Sequence, residues 1–251
     1  MTVAPTVFRD IVVIGGGCYG SFYAAQLAQA RARGKITCRE VVLVDRDPAC
    51  QAASEDRLPA GCSLAVRDWD SFLDEFLNRP APAPGGPDDA IVPSPLMPHL
   101  MAHWLGRLAS RRWPGRVTET VAVERPLGTP YDVLAPDGTR YVSFADWLCP
   151  THCIEPHVCP VTRGPRTWEM KDALVRYVAA LDHERPTAGP ALFVTRHRAF
   201  GVGMFDVAEV RLAAVQLTEA VERGAALVMA TVSSCHGAVG MLRVTDGVPA
   251  P

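Results

Sequence analysis

The sequence lacks any long run of one charge: 25 lysines and arginines stand against 27 aspartates and glutamates, for a formal net charge of −2. That balance argues against nucleic acid or a charged membrane surface as a partner and leaves a small molecule, anionic or not, as the default. No stretch reaches the roughly 20 apolar residues needed to span a bilayer. The opening residues also lack a basic segment followed by an apolar signal core, so a cytoplasmic location is expected. No internal repeat is evident. Disulfide staples are not required either, because a chain of 251 residues can bury a substantial core without them. Its eight cysteines are then expected to be thiols, thiolates or metal ligands. Between His99 and His103, four apart on an expected helix, no acidic partner of the H-E-x-x-H kind occurs, so the pair reads as polar surface or cleft residues.

What is present begins at residues 10 to 14, DIVVI, a continuous apolar and β-branched run that reads as a buried parallel strand. It empties into Gly15-Gly16-Gly17-Cys18-Tyr19-Gly20, which fits G-x-G-x-x-G. In that pattern Gly15 permits the turn, Gly17 lets the backbone approach a pyrophosphate, and Gly20 lets the next helix pack closely on the strand. A helix is expected from Cys18 to about Arg33, with Ala24, Leu27 and Ala28 at helical spacing and Gly34 at its end. Its first amides face the phosphates in this reading. Val41 to Val44 form a second apolar run ending at Asp45, about where a carboxylate meets an adenosine ribose. The cofactor-binding candidates are thus Gly15, Gly17, Cys18, Tyr19, Gly20 and Asp45. A carboxylate at 45 repels a 2′-phosphate and favours NAD, while Arg46 beside it keeps NADP open.

The alternation continues. Ser63 to Val66 is a strand candidate, and Asp68-Trp69-Asp70 opens a helix with Phe72, Leu73, Phe76 and Leu77 on its apolar face. The stretch holding Pro80, Pro82, Pro84 and Pro87 reads as a surface loop. Ala90 to Val92 is a fourth strand, followed by a helix expected to carry Pro98 in its first turn. Residues 9 to 110 resemble the NAD-binding Rossmann domains of bacterial potassium-uptake regulators and, more distantly, the dehydrogenase domain of siroheme-synthesis enzymes. The matching residues are IVVIGGGCYG, VVLVD and the acid Asp68. The resemblance implies an NAD-binding fold and places Asp68 near the adenosine. Neither family leads one to expect the cysteines that follow.

The second half reads as strands over Val117 to Val123 and Tyr131 to Phe144, with Asp137-Gly138 as a hairpin turn. A helix capped by Thr167 carries Leu174, Tyr177, Val178 and Leu181 on one face, and a strand covers Ala191 to Thr195. A helix opening at Asp206 ends near Gly224, and the last expected strand, Leu227 to Val232, empties into Ser233-Ser234-Cys235-His236-Gly237. Between these elements lies LCPTHCIEPHVCP, residues 148 to 160, with three cysteines, two histidines and a glutamate. Three thiolates on one short loop can converge on an ion, and Pro150, Pro156 and Pro160 restrict the loop. Candidate metal ligands are Cys149, Cys153, Cys159, His157 and Cys235, with His236 or substrate as further choices for the fourth position. An iron-sulfur cluster, zinc and a metal-free thiol set all remain open, since the spacing departs from C-x2-C zinc pairs and from the usual ferredoxin run. Glu155 reads as a solvated charge or an outer partner of the loop.

The expected architecture is therefore α/β. A Rossmann-like parallel sheet occupies residues 1–115, and an α/β or α+β portion with a hairpin and the cysteine loop occupies 116–251. The expected function is an NAD(P)-linked oxidoreductase with a cysteine-ligated metal or cluster near its substrate or electron path. The alternative is a nucleotide- or redox-sensing regulator without turnover. Partners would be a small-molecule substrate or a redox protein, with a homo-oligomer left open and nucleic acid and membrane excluded. A flavin enzyme is not expected, because no later flavin motif follows and the chain leaves little room for one.

Overall fold

A computed structural model describes residues 4–54, 58–146, 149 and 153–247. His152 and Pro150 of the cysteine loop lie outside the described residues. The chain begins with β1 (Thr6–Val7), β2 (Asp10–Ile14), α1 (Cys18–Ala32), β3 (Ile36–Thr37) and β4 (Glu40–Asp45). It continues through β5 (Cys62–Val66), α2 (Trp69–Leu77) and β6 (Ala90–Val92). Every residue of β2 is buried, as expected of a strand covered on both faces. It pairs in parallel with β4 on one side and β6 on the other, and β4 pairs in parallel with β5. α1 packs through Ala24, Leu27 and Ala30. It stops where Gly34 takes φ +62°, a left-handed conformation that glycine adopts without a Cβ penalty.

Next come α3 (Leu100–Arg112), β7 (Val117–Thr120), β8 (Tyr131–Leu134), β9 (Arg140–Ser143), α4 (Met170–Asp182) and β10 (Thr187–Val194). Asp137 and Gly138 do lie in the connection between β8 and β9. There Gly138 takes φ +84° and the Thr139 N–H donates to Asp137 Oδ1 at 2.9 Å. α4 buries Leu174, Tyr177, Val178 and Leu181, the stripe expected from periodicity. The chain then forms β11 (Arg196–Ala199) and β12 (Val202–Asp206), α5 (Val207–Glu222), β13 (Ala226–Val232) and β14 (His236–Thr245).

Among the described residues the fold is mixed α/β, with five α-helices and three sheets that are partly parallel. Strands β1 and β3 form a small parallel pair. One six-stranded sheet runs β11-β12-β6-β2-β4-β5, with β11 and β12 antiparallel. The other runs β10-β13-β14-β9-β8, with β7 also on β14. In it only β10 and β13 are parallel. The described residues up to Pro98 form one compact unit together with Thr195–Ala208; His99–Val194 and the described residues from Glu209 form a second. This compares with an expected division after residue 115. Ile11, Val13, Leu27, Leu43 and Met204 centre the core of the first unit. Leu174, Val228, Ala230 and Met241 centre that of the second.

Several local expectations are corrected. Pro98 is not in the first turn of α3, whose cap is His99. Thr167 does not cap α4; the cap position falls on Glu169, which makes no side-chain capping bond. β13 is not the last strand, because β14 follows it directly and pairs with it antiparallel over Gly237 to Leu242.

Candidate functional site

The glycine turn is held by its neighbours on both sides. Gly15 takes φ +93°, and its N–H donates to the Val44 carbonyl at 2.8 Å, tying the turn to the end of β4. The Gly16 N–H donates to Asp45 Oδ2 at 2.7 Å, while Oδ1 accepts from the Asp47 N–H at 2.9 Å. Asp45 therefore braces the turn itself. A carboxylate oxygen has two lone pairs, so each oxygen keeps acceptor capacity for a hydroxyl. A Cβ on Gly16 would come 2.5 Å from Cys50 Sγ, and the Gly16 carbonyl accepts from the Ala52 N–H at 2.8 Å. The segment after β4 is thus packed against the middle of the turn, a contact with no sequence signal.

The three pattern glycines differ sharply. A Cβ on Gly20 would lie 1.8 Å from the Gly15 carbonyl oxygen, so helix and strand can meet at this distance only without a side chain there. Gly17, by contrast, is exposed, has φ −76°, and would present a Cβ to open space. It caps α1 with no side-chain hydrogen bond, and the first helical bond is Ser21 N–H to the Gly17 carbonyl at 2.9 Å. The amides of Cys18, Tyr19 and Gly20 precede that bond and point out of the helix end. Cys18 is exposed and Tyr19 half-buried. Tyr19 sits 6.4 Å, centroid to centroid, from the ring of Tyr23. No acidic side chain occupies the first turn of α1, so the positive end of the helix dipole is not neutralised there.

Asp68 lies two residues beyond β5. It is the N-cap of α2, and its Oδ1 accepts from the Asp70 N–H at 3.0 Å and the Ser71 N–H at 3.2 Å. At the other end of β2, Asp10 is 2% exposed and accepts from Arg39 and, at 2.8 Å, from Arg79. Asp89 accepts from Arg9 and from the Asp10 N–H. Burial alone would push the Asp10 carboxyl up, but the two arginines hold it below the ordinary carboxylate range. A cleft at this edge is lined by Arg39, Arg67 and Arg79. Each of the three is already paired with a carboxylate, so this edge reads as a structural ion network.

In the second unit the cysteine loop is tied down at specific atoms. The Glu155 N–H donates to Cys153 Sγ at 3.4 Å, and the Glu155 carboxylate accepts from the Ser234 N–H at 3.1 Å and the Cys235 N–H at 2.9 Å. Glu155 does this from φ +55°, which costs a residue with a Cβ and persists only when surrounding contacts fix it. Cys159 opens a tight turn: its N–H donates to the Gly164 carbonyl at 2.9 Å, its carbonyl accepts from Arg163, and its Sγ accepts from the Thr162 N–H at 3.5 Å. That backbone N–H draws the Cys159 thiol below its ordinary value, while burial pushes Cys149 up. The Cys149 thiol donates to the Asp146 carbonyl at 3.4 Å, and His236 Nε2 lies 2.7 Å from the same oxygen.

Cys235 is buried and accepts from Trp168 Nε1 at 3.2 Å; burial pushes its thiol up to about 12. His157 is exposed, and its carbonyl accepts from the Arg166 N–H at 2.7 Å. Arg166 itself is paired with Glu169 at 2.7 Å. The loop and the turn after β13 thus meet, through Glu155. Among the described residues, however, no group of three or more histidine, cysteine or acidic side chains already surrounds a single point suited to an ion. Trp168 as a partner of Cys235, and the Asp146 carbonyl shared by Cys149 and His236, carried no sequence signal, because both depend on distant segments.

No helix among the described residues is long and apolar enough to cross a membrane. No curated protein and no solved structure matches the chain. Residues 101–245 match a family model described as "Uncharacterized protein, C-terminal domain", and the chain belongs to that family, AF_1314_C.

Proposed function

We propose that the first unit is a Rossmann-like dinucleotide-binding unit and that the protein is an NAD(P)-linked oxidoreductase. The observation that carries this reading is the contrast within the turn. Gly20 has no room for a Cβ against Gly15, while Gly17 faces open space at an uncapped helix start. A turn needed only for packing has no reason to leave Gly17 bare, whereas a pyrophosphate approaching the amides of α1 requires it. The parallel order β5-β4-β2-β6 adds support: numbered along the chain, it is the 3-2-1-4 order of a dinucleotide-binding half-sheet, and the turn lies at the carboxyl end of β2.

The residues fit the group chemically. Amides of residues 17 to 20 would hold the pyrophosphate, and Asp45, whose oxygens retain acceptor capacity, would take a ribose hydroxyl. When bound, a nicotinamide supplies hydride-transfer chemistry, and the chain orients it. Asp45 favours NAD over NADP by repelling a 2′-phosphate.

Calorimetric titration of the full chain with NADH and NADPH tests the reading, followed by assays for substrate-dependent NADH oxidation. Uptake of NADH that weakens in Gly17→Ala while the fold is kept is the expected result. Absence of adenine dinucleotide uptake would remove the proposal. Uptake without turnover across candidate substrates would instead favour a nucleotide sensor.

A further inference from the structure

We infer that Trp69 and Val66 hold the base of the dinucleotide by its flat face and leave its hydrogen-bonding edge unread, so that the site takes purine dinucleotides with little regard to the base. The inference rests on the dinucleotide reading and concerns the part of the ligand that the glycine turn and Asp45 do not reach. It begins with the order of the strands. The turn follows β2, Asp45 ends β4 and Val66 ends β5, and β4 pairs in parallel with β2 on one side and β5 on the other. Neighbouring strands lie about 4.8 Å apart. A ligand with its pyrophosphate at the end of β2 and its ribose at the end of β4 carries its base, on the far side of the ribose, toward the end of β5.

The groups standing there are apolar and tied in place. Val66 is the register partner of Asp45 and is 47% exposed, at the edge of its sheet. Trp69 is half-buried, and its Nε1 donates to the Val44 carbonyl at 3.0 Å, the same oxygen that accepts from the Gly15 N–H. The indole is therefore anchored to the residue before Asp45, through the acceptor that also holds the turn. Between them, the Arg67 N–H donates to the Asp45 carbonyl at 2.8 Å. Valine and indole are thus fixed to two consecutive residues of β4, one of which is the ribose carboxylate.

The same contacts say how a base is read. The single donor of the indole is taken by Val44. Arg67 pairs with Glu75 at 2.7 Å and lies over the Phe72 ring, and Asp68 caps α2. These polar groups are already engaged within the chain, while the indole and the valine offer apolar surface. Every base has a π-face, and an aromatic platform binds it without reading its edge.

Calorimetric titration of the full chain with NADH, with the reduced hypoxanthine analogue of NADH and with ADP-ribose tests the inference. The hypoxanthine analogue should bind within about threefold of NADH, because stacking is tolerant of base identity. Trp69→Ala should weaken ADP-ribose by about tenfold or more, while Trp69→Phe, which keeps a ring and loses the N–H, should stay within about threefold of wild type. A Trp69 that only braced Val44 would give the reverse: the phenylalanine variant would lose as much as the alanine variant. Val66→Asp, at an exposed position, should also lower ADP-ribose affinity and needs no change in the core. The inference is overturned, with the dinucleotide reading intact, if wild type binds NADH but rejects the hypoxanthine analogue, if Trp69→Phe is as weak as Trp69→Ala, or if neither Trp69→Ala nor Val66→Asp alters ADP-ribose binding. Absence of both NADH and ADP-ribose uptake by wild type removes the dinucleotide reading itself.

Discussion

At the scale of single residues, the two glycines of the turn make opposite predictions from the same substitution. Gly20→Ala forces a Cβ to 1.8 Å from a backbone oxygen, which only movement of α1 away from β2 can relieve. A loss of about 3 kcal/mol or more is expected in denaturant unfolding. Gly17→Ala meets nothing and has a backbone any residue adopts, so stability should stay within about 0.5 kcal/mol. Its NADH affinity, read by calorimetry, should nonetheless fall by about tenfold or more, roughly 1.4 kcal/mol. Equal losses of stability in the two variants would remove the distinction on which the binding site depends. The thiols give a second test. Cys235, buried with its thiol pushed up to about 12, should resist iodoacetamide at neutral pH while exposed Cys18 is modified, as peptide mass mapping would show. The spacing of Gly15, Gly17 and Gly20 was legible in the sequence because the pattern is local. The bracing of Gly16 by Asp45 was not, since the sequence displays an acid at 45 but not which amide it meets 29 residues away.

Among the elements, α2 sets a local rule beside a resemblance. The acid before the helix was visible in both readings, but the carboxylate of Asp68 is taken up by the first amides of α2. Asp68→Ala should cost about 1 kcal/mol of stability, the usual loss for an N-cap, and leave NADH affinity unchanged. A large fall in affinity with intact stability would instead support the adenosine role. Strands β2, β4 and β6 and helices α1, α2 and α4 were legible because apolar periodicity and β-branched runs act within a few residues. β14 was not, because Gly237 and Gly240 interrupt its apolar pattern and glycine reads as turn. Its ten residues are specified instead by partners on both sides, β13 along its length and β9 and β7 at its ends. β11 and β12 carry little sequence signal for a related reason. Arg196 and Arg198 look like loop residues, yet they face Asp206, which Arg198 meets at 2.5 Å. Thr167 was a good cap by residue type, but the Met170 N–H is already taken by the Ser234 carbonyl at 2.9 Å, so a tertiary contact decides where α4 starts.

On the scale of the whole molecule, the chain builds a first unit, leaves it at Pro98, and returns with β11 and β12 before completing the second. No local signal announces that return, because it is written in the pairing of Phe205 and Asp206 with Ile91 and Ala90. The ion network at the start of β2 shows what the first unit demands of its surroundings. Asp10 is buried with two arginines, so its carboxyl is held below the ordinary range. A group depressed in this way adds stability above its unfolded value, about pH 4, and loses it as pH falls through the lower folded value. Asp10→Asn should therefore lower stability at neutral pH, because the ion pairs with Arg39 and Arg79 are lost. The gap between wild type and variant should narrow as the pH is taken below about 4. Two units need not unfold together, so a single global transition would blur the effect. Hydrogen exchange at the amides of β2 and β4 localises it, with protection falling in the variant at neutral pH and converging with wild type in acid. A gap that stayed constant down to about pH 2 would mean that the charge of Asp10 contributes nothing and that only its shape is required.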